Sequence, residues 1–114
     1  MNHVQIVGKA MISQPMGGLT DEEIVATRDR AICAIRAKGY LFENTLFTDE
    51  WYEEESARVP WFIIQRPLFF LAKSLEAMSR CNAVYFCKGW EKARGCKIEH
   101  DAAVAYGLDI IYEE

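Results

Sequence analysis

A three-layer α/β fold on a parallel sheet is what this 114-residue chain predicts, from three observations. Short apolar runs alternate with longer stretches of helical periodicity. The stretches are punctuated by glycines, a proline and polar turns. The resulting order is β-α-β-α-β-α-β, and such alternation implies parallel strands with helices on both faces. Crossovers of this kind are right-handed, which leaves few topologies. Strand order 2-1-3-4, a truncated flavodoxin-like sheet with four strands, is the expectation.

Each element has its own justification. Lys9 to Ser13 (KAMIS) is a mostly apolar run stopped by the turn-like QPMGGLT, and reads as a buried strand. Thr20-Asp21-Glu22-Glu23 fits a capping box, with Thr20 as N-cap. In the helix that follows, Ile24, Ala31, Ile32 and Ile35 fall toward one face, and Arg28, Arg30, Arg36 and Lys38 fall elsewhere. Gly39 stops that helix. Tyr40 to Glu43 is a second strand, ending at Asn44. Residues 45–66 are the least legible part, mixing Asp49, Glu50, Glu53, Glu54 and Glu55 with Trp51, Tyr52, Trp61 and Phe62. A long connection in a compact domain is usually functional or mobile. Pro67 suits a first helical turn, and Leu68, Leu71, Leu75 and Met78 carry the helix to about Ser79. Ala83 to Cys87 (AVYFC) is a third strand. A helix over 95–106 ends at Gly107, and Asp109 to Tyr112 is the last strand.

Composition bounds the class. The length is that of a single domain, 1–114. A hydrophobic fraction of 51% and a charged fraction of 26% describe an ordinary globule. The net charge of -4 argues against general binding to nucleic acid or to an anionic membrane. It leaves room for one small anionic ligand in a locally basic pocket. Cysteines 33, 81, 87 and 96 lack C-x-x-C spacing and have no histidine at ligand spacing, so no metal site and no cofactor is expected. Cys33 and Cys81 read as small core residues. No stretch has the form of a signal peptide or a membrane span, so a cytoplasmic protein with reduced thiols is expected.

With this strand order the sheet's switch point lies between strands 1 and 3, where ligands bind outside the carboxyl ends of the strands. Two loops flank it: Gln14-Pro15-Met16-Gly17-Gly18, and the longer loop from Lys88 to Gly95. Gly17 and Gly18 let backbone N–H groups approach a ligand just before a capped helix. Ser13 and Gln14 add side-chain hydrogen bonds. Lys88, Lys92, Arg94 and Lys97 cluster in an otherwise acidic chain, which suits a nucleotide better than a neutral nucleoside. Glu99 opens the helix after the second loop among Gly95, Cys96, Ala102 and Ala103, all small. A helix N-terminus favours its ionised form by roughly 0.3–1 kcal/mol. Such a carboxylate is fit to be a nucleophile at an anomeric carbon or a base; the competing reading is a solvated helix glutamate. Trp90 is placed either to stack on a base or sugar or to plug the edge of the core. His100 points about 100° away from Glu99 and reads as structural or surface.

The motifs ISQPMGG, CNAVYFCKGWEKARGCKIEH, Tyr106-Gly107 and DIIYE together resemble the nucleoside 2-deoxyribosyltransferase-like superfamily, in its small bacterial and phage branch. The resemblance leaves out the first eight residues and 45–66. Its most specific part is Gly-Trp-Glu-x-x-x-Gly-x-x-x-Glu-His, running from Gly89 to His100. It implies a flavodoxin-like fold and cleavage of an N-glycosidic bond. Glu99 would attack C1′ of a 2-deoxyribose, and another base or water would resolve the glycosyl-enzyme. Ser13, Gln14, Pro15, Met16, Gly17 and Gly18 would hold sugar or phosphate. Asn44, Gly89, Trp90, Arg94 and Gly95 would complete the substrate site. A homo-oligomer, dimer or larger, is implied as well. The chain departs from the pattern in three places. Ala10 and Met11 stand where relatives often carry a tyrosine. Ser74 and Asn82 stand where many carry an aspartate. Loss of the strand 1 tyrosine favours a second reading, a nucleotide-binding module without chemistry; retention of Glu99 argues against it. A third makes the aromatic, acidic 45–66 stretch a protein interface, or else a lid.

Overall fold

The computed structural model describes residues 5–58 and 65–114. Among them the order is β1 (Gly8–Ser13), α1 (Asp21–Ala37), β2 (Tyr40–Glu43), α2 (Asp49–Ser56), α3 (Arg66–Met78), β3 (Ala83–Phe86), a short 3-10 turn at Trp90–Lys92, α4 (Arg94–Ala105) and β4 (Asp109–Tyr112). The four strands form one parallel sheet of order β2-β1-β3-β4, as the sequence predicts. This is a flavodoxin-like three-layer arrangement.

Strand alternation divides the core into two layers. Ala10, Ile12, Ala83, Tyr85 and Cys87 face α1, where Ala31 and Ile35 meet them. Met11, Val84 and Phe86 face the other way, onto Met78, Cys81 and Ala103 from the α3 and α4 side. Both central strands are therefore covered on both faces, which is why they read as near-continuous apolar runs.

Local chemistry sets the element ends. The Thr20 capping box is formed: the Glu23 N–H donates to Thr20 Oγ1 at 3.2 Å, and the Thr20 N–H donates to Glu23 Oε1 at 3.2 Å. Gly39 takes φ 93 just past α1, a left-handed turn that favours glycine. Asn82 stitches three strands at the sheet's amino edge. Its N–H donates to Lys9 O at 2.8 Å and its Oδ1 accepts the Lys9 N–H at 3.0 Å. Its carbonyl accepts the Asp109 N–H at 2.9 Å.

Three expectations change. The 45–66 connection contains a helix, α2, begun by Thr48, whose side chain accepts the Trp51 N–H. Trp51 and Tyr52 from α2 pack on Phe69 and Phe70 of α3. The readings of Trp61 and Phe62 lie outside the described residues. Cys33 is exposed, not core, because it lies two residues from both Ala31 and Ile35, about 200° round α1 from that buried stripe. Arg28 is buried, not on the solvent side. Among the described residues no helix is long and apolar enough to cross a membrane.

Candidate active site at the carboxyl edge of the sheet

Glu99 is the sixth residue of α4 and is 7% exposed. Its helical neighbours Cys96 and Ala103 are buried with it, and Ala102 is half-buried. The solvated-helix reading is therefore excluded. Small side chains on this face let α4 approach the sheet closely, which carries the carboxylate up to the end of β1. There Ser13 Oγ–H donates to Glu99 Oε1 at 2.9 Å. Ser13 is itself buried, and its place in β1 fixes its direction. It follows Met11 in the alternation and so faces the α4 layer.

Burial dominates the electrostatics of this carboxylate. It pushes Glu99 up from its ordinary 4.5 to about 7, against the opposing pull of the Ser13 hydrogen bond and the Arg28 charge. The helix N-terminus was expected to favour the ionised form. At the sixth residue that field has faded, and desolvation wins. A carboxyl group poised near neutrality beside a fixed donor can serve as nucleophile when ionised and as acid when protonated.

Gln14, next in the chain, faces the other layer. Its Nε2 donates to Ile24 O at 2.7 Å, and its Oε1 accepts from Arg28 Nε at 3.2 Å. Pro15 is half-buried, and its ring lies 3.7 Å from where a Cβ on Gly89 would be, so the two loops approach each other there. Gly89 takes φ 89, which lets the chain turn from β3 into the 3-10 segment. Met16, Gly17 and Gly18 are exposed. Met16 lines a separate concavity with Ile24, Leu46, Phe47 and Thr48.

The remaining candidates are more dispersed. Asn44 is exposed, and its Oδ1 accepts the Leu46 N–H at 3.0 Å, shaping the turn after β2. Arg94 and Gly95 open on a groove with Pro67, Leu68 and Leu71, between the starts of α3 and α4. Trp90 packs on Phe86 at the core edge and stacks on His100, ring centroids 4.1 Å apart. His100 Nε2 and Tyr112 Oη are 2.7 Å apart. Lys88, Lys92, Arg94 and Lys97 are all exposed, and among the described residues none makes an ion pair. The structure thus brings Ser13, Gln14, Pro15, Gly89 and Glu99 together and leaves Asn44, Arg94 and Gly95 around the rim.

Two buried residues at this edge were missed in the sequence. Thr45 Oγ1 donates to Ile12 O at 3.1 Å, tying the turn after β2 to β1. Arg28 is 5% exposed. An arginine among apolar residues at i−4 and i+3, here Ile24 and Ala31, is the available signal. The thiols of Cys87 and Cys96 border the same interior. Burial pushes Cys87 up to about 12 and Cys96 upward, so both stay protonated and make poor nucleophiles.

Comparison with known proteins adds a family and no activity. Neither the search of curated proteins nor the search of solved structures finds a significant match. One family model, described as a domain of unknown function, matches residues 9–112. That span runs from β1 to the end of β4, so the chain belongs to the DUF4406 family.

Proposed function

We propose that this protein cleaves, or exchanges the base across, the N-glycosidic bond of a 2′-deoxynucleoside or its 5′-monophosphate. Glu99 is the nucleophile in this reading. The observation that carries it is a buried carboxylate, held by Ser13 at the switch point of a parallel sheet. In its ionised form Glu99 attacks C1′, forming a C1′–O bond as the C1′–N bond breaks. The base departs with the bonding pair and takes a proton from water. Water or a second base then attacks C1′ and frees the carboxylate. The resemblance in Gly89 to His100 supports the same assignment.

The exposed basic residues beside the second loop favour a phosphorylated substrate over a neutral one. A homo-oligomer belongs to the proposal, and exposed Leu68, Val104 and Tyr106 give it apolar surface. So does a cytoplasmic setting, consistent with four free cysteines.

The test is a substrate panel. Wild type and Glu99→Gln are incubated with each deoxynucleoside and each 5′-monophosphate, with and without a free acceptor base. Chromatography reports free base and exchanged product. Wild type should release or exchange base, and Glu99→Gln should lose at least about 10³-fold of that rate while keeping its fold. Wild-type-like turnover in the variant would remove Glu99 from the mechanism. Nucleotide binding by calorimetry without any release would support the binding module, which Ala10 and Met11 in place of a tyrosine favour.

A further inference from the structure

We propose that Arg28 is the positioning residue of this site, the buried counter-charge that Glu99 faces across the carboxyl edge of the sheet. The inference rests on Glu99 being the working carboxylate, but its test needs no turnover. Among the described residues, Arg28 and Glu99 are the charged side chains that the fold buries. They come from opposite layers, Arg28 from α1 and Glu99 from α4. Among the described residues they form no direct ion pair with each other; the end of β1 lies between them. The dipeptide Ser13–Gln14 spans that end, with one side chain reaching into each layer. Ser13 donates to Glu99 at 2.9 Å, and Gln14 accepts from Arg28 Nε at 3.2 Å.

Gln14 cannot turn away, because its amide nitrogen is committed to Ile24 O at 2.7 Å. Among the described residues the guanidinium is thus held by one nitrogen. Its Nη1 is buried and has no hydrogen-bond partner among the described residues. A buried guanidinium with an unpaired nitrogen is costly to keep, and an opposite buried charge on the other side of the sheet edge offsets part of that cost. The groups that face Glu99 are Ser13 from β1, Arg28 from α1 and Cys96 on its own helix; Cys87, at the end of β3, faces Arg28. Both thiols are neutral and Ser13 is uncharged. Arg28 therefore supplies the positive charge that keeps a nucleophilic fraction of Glu99 ionised near neutral pH, against the burial that would protonate it.

The experiment is a carboxyl-carbon NMR titration of the full chain, with Glu99 identified by the signal missing from Glu99→Gln. Arg28→Gln should raise the Glu99 midpoint above the wild-type value, and Arg28→Lys should hold it near wild type. A residue that merely supports packing would lower stability and leave the midpoint where it was. In wild type, the Arg28 guanidinium nitrogen signals should follow the Glu99 titration and become flat in Glu99→Gln. This second reading needs no Arg28 variant to fold. An unmoved midpoint in folded Arg28→Gln, or guanidinium signals blind to Glu99, overturns the proposal. Silence in the substrate panel leaves these titrations readable, so each reading can fail alone.

Discussion

A carboxyl group that protonates near neutrality leaves a mark on stability. Glu99 titrates at about 7 in the folded protein, against an ordinary 4.5. Between those values the folded state holds a proton that the unfolded state has released. Stability therefore falls as pH rises through that window, and it is flat below and above it. The shift corresponds to about 3 kcal/mol. Glu99→Gln carries no such titration. The difference in unfolding free energy, wild type minus Glu99→Gln, should drop by about that amount between pH 4.5 and pH 8. Urea unfolding at closely spaced pH values would measure it, and parallel curves for the two proteins would mean Glu99 is not desolvated. The same titration governs chemistry with the opposite sense. Nucleophilic turnover should rise as pH passes through about 7, because the ionised form is the attacking one. Stability and activity thus trade against each other at a single side chain. Its identity as a candidate was legible in the sequence from its small neighbours. Its desolvation was not, because solvation depends on how closely α4 packs against the end of β1, a tertiary contact that local sequence does not encode.

At the scale of elements, the two central strands were legible because both-face burial forces a run of apolar residues, and the edge strands from short apolar runs bounded by turn residues. The crossover helices were legible from caps and periodicity. Two things escaped. The first was α2, whose exposed acidic residues mask its start, and which buries no residue of its own. Its anchoring comes from aromatic contacts to α3, and such contacts between segments leave no periodic trace in either one. The second was Arg28, because a helix face assigned by residue class puts every arginine outside. The junction of β1, β3 and β4 gives a sharper test. A Cβ on Gly8 would lie 2.7 Å from Asn82 Oδ1, the same oxygen that accepts the Lys9 N–H. Gly8→Ala should therefore push the Asn82 side chain off Lys9 and cost roughly 1–3 kcal/mol. Gly17→Ala meets nothing within 4 Å and serves as the control, with little change expected. Thermal unfolding of both variants decides it; equal effects would mean that Asn82 yields at no cost.

For the molecule as a whole, α4 serves two surfaces. Its inner face carries Cys96, Glu99 and Ala103 into the core, and its outer face leaves Ile98 and Val104 exposed. Tyr106, just past its end, is 86% exposed, the most of any large apolar side chain among the described residues. Beside it runs an apolar groove of about 440 Å³, lined by Leu75, Met78, Ala102 and Leu108. Exposed apolar surface next to an apolar groove is expensive to leave in water. A second copy of the chain can cover both at once, since a two-fold contact presents the same patch from each side. The proposed homo-oligomer should therefore form through α3 and α4. Wild type should sediment as a dimer or larger at tens of micromolar. Val104→Asp, which places a charge in that contact, should sediment as a monomer with an unchanged helix signal. If a neighbour also completes the site, that variant should lose turnover although Val104 lies outside the Ser13–Glu99 cluster, and wild-type specific activity should fall on dilution. A wild type that stays monomeric at every concentration would remove the oligomer from the proposal and leave Glu99 to act within one chain.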